Sequence, residues 1–268
     1  MQVNGISLNV AEHGAGVPVI LLHGWPDSGY LWRHQVPYLV DHGFRVVVPD
    51  LRGFGQSERP AGVAAYSLPT IIADVAGILD ELGIQTAHVV GHDWGAAVAW
   101  FTAMLIPDRV RRLVVLSVPH PLAPATLRQR EMAWYQLLFQ FEGIAEAQLQ
   151  ANDWALFRTF SRGDGDQQRY LADLSRPGAL TASLNWYRAG SGTVATSLAE
   201  VAPAPEDRTA VPLRVLWPEH DPLFPPAWGD RLEEFFADVS VRPLAGVGHF
   251  VPLEAPGAFA GAIADALA

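Results

Sequence analysis

The chain has 268 residues, 50% of them hydrophobic and 17% charged, enough to bury roughly three quarters of its unfolded surface in one or two domains. A formal charge of -10, from 18 basic against 28 acidic residues with no basic block, argues against nucleic acid and anionic membranes as partners. Cys is absent and every basic residue is Arg, which excludes disulfides, thiolate chemistry, a Schiff-base lysine and the lysine of a Walker loop.

In chain order, Gln2–Glu12 reads as a hairpin about Asn4-Gly5, and Val17–Leu22 as a short apolar strand buried on both faces. After the loop His23–Ser28 come a helical pattern over Leu31–His42, a strand at Phe44–Val48, the turn Asp50–Gly55 and a helix over Ile71–Leu82 stopped by Gly83. A strand at Ala87–Val90, a turn at Gly91–Gly95, an apolar helix at Ala96–Ile106 and a strand at Arg112–Leu116 repeat the alternation. Apolar strands alternating with helices predict a mostly parallel sheet covered on both sides.

At His120-Pro121 the pattern changes. Residues 120–211 are polar, helix-like and rich in Trp, Gln and Arg, which predicts an inserted helical cap domain. The strand signature resumes at Leu213–Trp217, followed by a helix at Trp228–Phe236, a strand at Ser240–Leu244 and an Ala-rich helix at Ala258–Leu267. Residues 1–119 and 212–268 then form one core domain, with Ala202–Thr209 and its two prolines as the return linker. No stretch approaches about 18 uninterrupted apolar residues, and Met1–Glu12 has neither a basic nor an apolar leader pattern, so a cytoplasmic protein is expected.

The turn Gly91-His-Asp-Trp-Gly95 lies between a buried strand and a helix, with Asp93 at its tip. A sharp strand-to-helix turn with glycines on either side is how a nucleophile is held in a strained backbone conformation at the mouth of a sheet. Asp221 and His249 each follow a later strand, where open sheets keep their chemistry, and the order nucleophile, acid, histidine matches a catalytic triad. Backbone N–H groups of Trp25, in the loop after the first buried strand, and of Trp94 are the candidate oxyanion donors. Pro26 is a candidate cis proline aiming Trp25 inward.

An aspartate is ionised at neutral pH and needs no base to attack. At an acyl carbonyl it would give an anhydride, whereas at a saturated carbon it gives a stable ester that water must clear. His249, oriented by Asp221, is the expected base for that water. The leaving group is then an epoxide oxygen, which needs a proton donor, or a halide, which needs only N–H donors. Tyr135 and Tyr187, in helix-like stretches of the insert, are the candidate donors to an epoxide oxygen.

These residues resemble the epoxide hydrolases of the α/β-hydrolase fold family. The resemblance spans nearly the whole chain, through His23-Gly-Trp-Pro-Asp-Ser28, Arg52-Gly-Phe-Gly55, the Asp93 turn, Trp134 to Leu138, Asn185-Trp-Tyr-Arg188 and Gly248-His249. It implies that Tyr135 and Tyr187 activate the epoxide oxygen, and that water and a small-molecule epoxide are the reactants. The Asp-Trp turn is shared with haloalkane dehalogenases, in which the tryptophan matching Trp94 helps bind halide. A haloalkane or haloacid dehalogenase using the same Asp93 ester is therefore the alternative, with Trp134 or Trp186 as a second donor. His23, Pro26, Trp134, Trp186 and Phe250 complete the expected substrate pocket. No cofactor is expected, and His88 and His92 are set aside as a metal pair because the span reads as strand then turn.

Overall fold

The computed structural model describes residues 1–121, 131–161, 165–190, 209–222 and 232–268, the side chain of Phe160 excepted. Strands β1 (Gln2–Val3) and β2 (Ile6–Ser7) form a small antiparallel ribbon around Asn4 and Gly5, both at positive φ. The rest of the expected hairpin behaves differently. β3 (Val10–His13) leaves the ribbon and pairs antiparallel with β5 (Phe44–Pro49) at the edge of a larger sheet.

That sheet continues with β4 (Val17–Leu22), β6 (Ala87–His92), β7 (Val110–Leu116), β8 (Leu213–Pro218) and β9 (Val239–Leu244), in the order β3-β5-β4-β6-β7-β8-β9. All pairings beyond β3 are parallel. Successive side chains of a strand point to opposite faces, so Ile20 and Leu22 of β4 join Val47 and Val89 in one core cluster. Val19 and Leu21 join Val46 and Val90 in the other. Two buried faces explain the continuous apolar runs in the sequence. β9 departs from that expectation, because as an edge strand it leaves Ser240–Pro243 exposed.

The predicted helix after β4 begins as a 3-10 turn, Gly29–His34, and continues as α1, Gln35–Asp41. α2 runs over Leu68–Glu81, starting ahead of Ile71 because Pro69 fits the first turn of a helix, and it stops before Gly83 at φ 64°. α3 covers Trp94–Leu105, and the last helix Pro256–Leu267. Of the expected helix at Trp228–Phe236, a short 3-10 turn at Leu232–Glu234 is described; 223–231 lie outside the described residues, as do 202–208 of the expected linker.

Between β7 and β8 the chain forms helices Tyr135–Phe139, Ile144–Phe160, Gln167–Leu174 and Ala179–Gly190. Phe139, Phe157, Trp186 and Tyr187 from them pack in the same apolar cluster as Trp25 and Phe54 from the loops above the sheet. The helix Ile144–Phe160 is broken by Asn152, Asp153 and Trp154, all left-handed at φ 51°, 55° and 60°. In the sheet, β5 and β6 lie on opposite sides of β4, so the chain reverses direction there and opens a crevice at the carboxyl ends of β4 and β6.

Candidate active site

Close packing fixes the turn after β6. A Cβ on Gly91 would run into the carbonyl of Gly95, and one on Gly95 into the carbonyl of Leu22, so α3 can start directly against β4. Asp93 between them takes φ 52° and ψ -122°, a strained conformation for a residue with a side chain. Its carboxylate stands in the crevice, where Oδ1 accepts the Trp25 N–H at 2.8 Å and the Trp94 N–H also points to the group. The missing side chain of Gly24 makes room, since a Cβ there would overlap Asp93. The Trp25-Pro26 peptide is cis.

His249 follows β9 in a loop that reaches over the same crevice. Its Nδ1–H donates to Asp221 Oδ2 at 2.8 Å, and its Nε2 faces Asp93 Oδ2 at 3.6 Å. Three side chains far apart in sequence thus converge, all buried. Burial opposes charge on His249, but the Asp221 charge and hydrogen bond, together with Asp93, push its pKa up to about 10. Burial likewise opposes charge on Asp93, yet the nearby His249 holds it below the ordinary carboxylate value. The acidic neighbours thus favour the protonated form of the imidazole, and the imidazole favours the ionised form of Asp93.

A cavity of about 310 Å³ opens above Asp93 and His249, near the lower end of small-molecule sites. Trp25, Pro26, Trp134, Tyr135, Tyr187 and Phe250 line it, most of them aromatic. The Tyr135 and Tyr187 rings lie edge to face with centroids 6.1 Å apart. Burial raises the pKa of both phenols, and the Asp93 charge adds to the effect, so both remain protonated far above neutral pH. The Trp94 indole packs edge-on against Tyr187, with ring centroids 5.1 Å apart. Trp134, 47% exposed, stands at the rim.

Two expected pocket residues are elsewhere. His23 is fully buried beneath its loop, where Nε2 accepts the Leu51 N–H at 3.0 Å and Nδ1 meets the Gly24 carbonyl at 2.9 Å. It braces the turn that presents Trp25 and does not line the cavity. Trp186 is also buried and turned away, donating its indole N–H to the Arg52 carbonyl at 3.0 Å. Adjacent helical residues point about 100° apart, so Tyr187 facing the cavity sends Trp186 to a neighbouring face.

The sequence reading missed Met132, Leu156, Thr159, Ser161 and Pro222, which also line the cavity. No local pattern distinguishes them from other helix and loop residues. It also missed Asp27, whose carboxyl accepts the Tyr170 hydroxyl at 2.9 Å and the Ser28 N–H at 2.8 Å. Burial pushes Asp27 up to about 7, and the pair ties the Trp25 loop to the helix Gln167–Leu174. Its place directly after Pro26 was the available signal. Among the described residues no cluster of three or more His, Asp or Glu could hold a metal ion, and no helix is long and apolar enough to cross a membrane.

The α/β-hydrolase fold family matches residues 17–256. AB hydrolase superfamily protein YfhM of Bacillus subtilis is 36% identical over 236 residues, covering 82% of this chain and 80% of its own. Epoxide hydrolase A of Mycobacterium tuberculosis is 33% identical over 313 residues, covering 100% of this chain and 96% of its own. Among solved structures, an epoxide hydrolase variant from Bacillus megaterium, complexed with its product (R)-3-[1]naphthyloxy-propane-1,2-diol, is similar with a TM-score of 0.87 at 27% identity, over 99% of this chain and 98% of that one. Epoxide hydrolase A from Mycobacterium thermoresistibile gives 0.82 at 30% identity, over 100% and 96%. With its sheet order, its Asp93 turn and these relatives, the chain belongs to the α/β-hydrolase fold family, alongside proteins named epoxide hydrolases.

Proposed function

We propose that the protein hydrolyses epoxides to vicinal diols through an ester on Asp93. The observation that supports this reading best is the pair of protonated phenols, Tyr135 and Tyr187, in the same cavity as a carboxylate that needs no base to attack. An opening epoxide places negative charge on oxygen, and phenols are proton donors suited to it.

In the first step Asp93 Oδ2 attacks a ring carbon, the carbon–oxygen bond breaks, and the departing oxygen takes a phenol proton. The ester has removed one of the two charges that kept His249 protonated. The imidazolium proton returns through solvent to the tyrosinate, leaving His249 neutral. His249 then takes a proton from water, and the hydroxide adds to Asp93 Cγ while the Trp25 and Trp94 N–H groups hold the oxyanion. Collapse expels the diol, which takes its proton from the new Asp93 carboxyl, and the ion pair with His249 is restored. Atoms and charge balance as epoxide plus water to diol.

Asp221 keeps the imidazole ring oriented, and Pro26, Trp134 and Phe250 supply apolar wall. Residues 120–211, between β7 and β8, would act as the cap that carries both phenols over a core of 1–119 and 212–268. The halide alternative has weaker support, because the indole N–H groups of Trp25 and Trp186 are committed. Trp25 Nε1 donates to Ser183 Oγ at 3.1 Å and Trp186 Nε1 to the Arg52 carbonyl at 3.0 Å.

Incubation with styrene oxide should yield diol, while a bromoalkane of similar size should release no bromide. Tyr135→Phe and Tyr187→Phe should each slow ring opening by about 10²-fold, the usual scale of general acid catalysis, and the double variant should lose it. A double variant retaining full epoxide turnover would overturn the assignment of the phenols as acids.

A further inference from the structure

The base acts from a loop, and loops hold a side chain only as firmly as their own backbone is held. Around His249 that backbone is held at the N–H groups of both neighbours and at its own carbonyl. Glu254 folds back so that Oε2 accepts the Gly248 N–H at 2.6 Å and Oε1 accepts the Phe250 N–H at 2.8 Å. These are the two residues flanking His249. The His249 carbonyl accepts His92 Nε2–H at 2.7 Å from the end of β6, and Ser117 Oγ–H at 3.5 Å from the end of β7.

Glu254 itself stands on an anchored element. It ends the short helix Val251–Glu254, and buried Gln35 donates to the carbonyls of Pro252 at 3.0 Å and Pro256 at 3.2 Å on either side of it. A carboxylate that turns back onto the start of its own helix stabilises that helix wherever it occurs. Here the N–H groups it fixes belong to the neighbours of the proposed base, so fixing them also fixes where Nε2 points.

We propose that Glu254 is a positioning residue for the second half of the reaction, clamping the peptide groups on both sides of His249 so that the imidazole addresses water over the Asp93 ester. This rests on the two-step reading above, in which His249 acts as base only after the ester has formed. Loss of the clamp should then spare ring opening by Asp93 and slow clearance of the ester.

The test is single-turnover kinetics of Glu254→Ala and Glu254→Gln on styrene oxide, with the protein mass followed in time. Glu254→Ala should clear the ester about tenfold more slowly while forming it within about twofold of the wild-type rate, so that the adduct accumulates. Glu254→Gln keeps one acceptor for two N–H groups and should fall between them. The acid limb of ester clearance should stay in place, because Glu254 holds the imidazole without setting its proton affinity. Unchanged clearance, equal slowing of both steps, or a displaced acid limb would each overturn the proposal. An adduct that fails to appear in Glu254→Ala and in His249→Gln alike would overturn the two-step reading as well.

Discussion

Asp93→Ala should abolish diol formation, with a loss on the order of 10⁴-fold or more, the scale on which removal of a covalent nucleophile acts. The size follows from what is left. The cavity, the phenols and the Trp25 N–H would survive, but a phenol alone cannot open a ring without an attacking group. The imidazolium would lose one partner and keep Asp221 at 2.8 Å, so the triad's other half should stay in place. Near-normal melting with no turnover, and no mass increase on the protein after exposure to epoxide, is the expected pair of results. Residual turnover near the wild-type rate would place the chemistry on another residue.

His249→Gln should give the opposite signature, with ring opening preserved and the protein trapped as its ester. Steady-state turnover should fall by about 10³-fold or more while one equivalent of substrate mass stays on the Asp93 peptide. The wild type should approach the same state on acidification. His249 is held protonated up to about 10 by Asp221 and Asp93 at rest, and esterification removes the Asp93 contribution, so the base titrates lower in the ester than in the free protein. Acid below that value returns the proton and stops water activation. Asp93 meanwhile is held below the ordinary carboxylate value and stays ionised for attack. Lowering the pH should therefore increase the trapped fraction, read by mass spectrometry of quenched samples. The ordinary imidazole pKa of about 6.5 is not the reference for the free protein.

Much of the sheet was legible in the sequence because a doubly covered parallel strand must be apolar on both faces, as in Val19–Leu22 and Leu113–Leu116. The turn at Asp93 was legible because its glycines answer to backbone clashes within a few residues and with the adjacent strand. What resisted reading depends on partners distant along the chain. Trp186 looks like a pocket residue beside Tyr187 until the Arg52 carbonyl, 134 positions away, claims its indole. His23 is likewise taken by Leu51, and Asp27 by Tyr170. The exposed edge of β9 and the left-handed stretch Asn152–Trp154 had weak local signals that went unread, since Arg242 and Pro243 suit an edge strand and Asn and Asp are the side chains that most readily turn left-handed.

The two oxygens of Asp93 are not equivalent. Oδ1 is pinned by the Trp25 amide at 2.8 Å, while Oδ2 faces the histidine. On the proposed route Oδ2 leaves with each diol and an atom from solvent takes its place. In water enriched in the heavy isotope, the first diol released per protein should carry ordinary oxygen drawn from the side chain. Because the pin prevents the group from flipping, the second diol should be fully labelled rather than half.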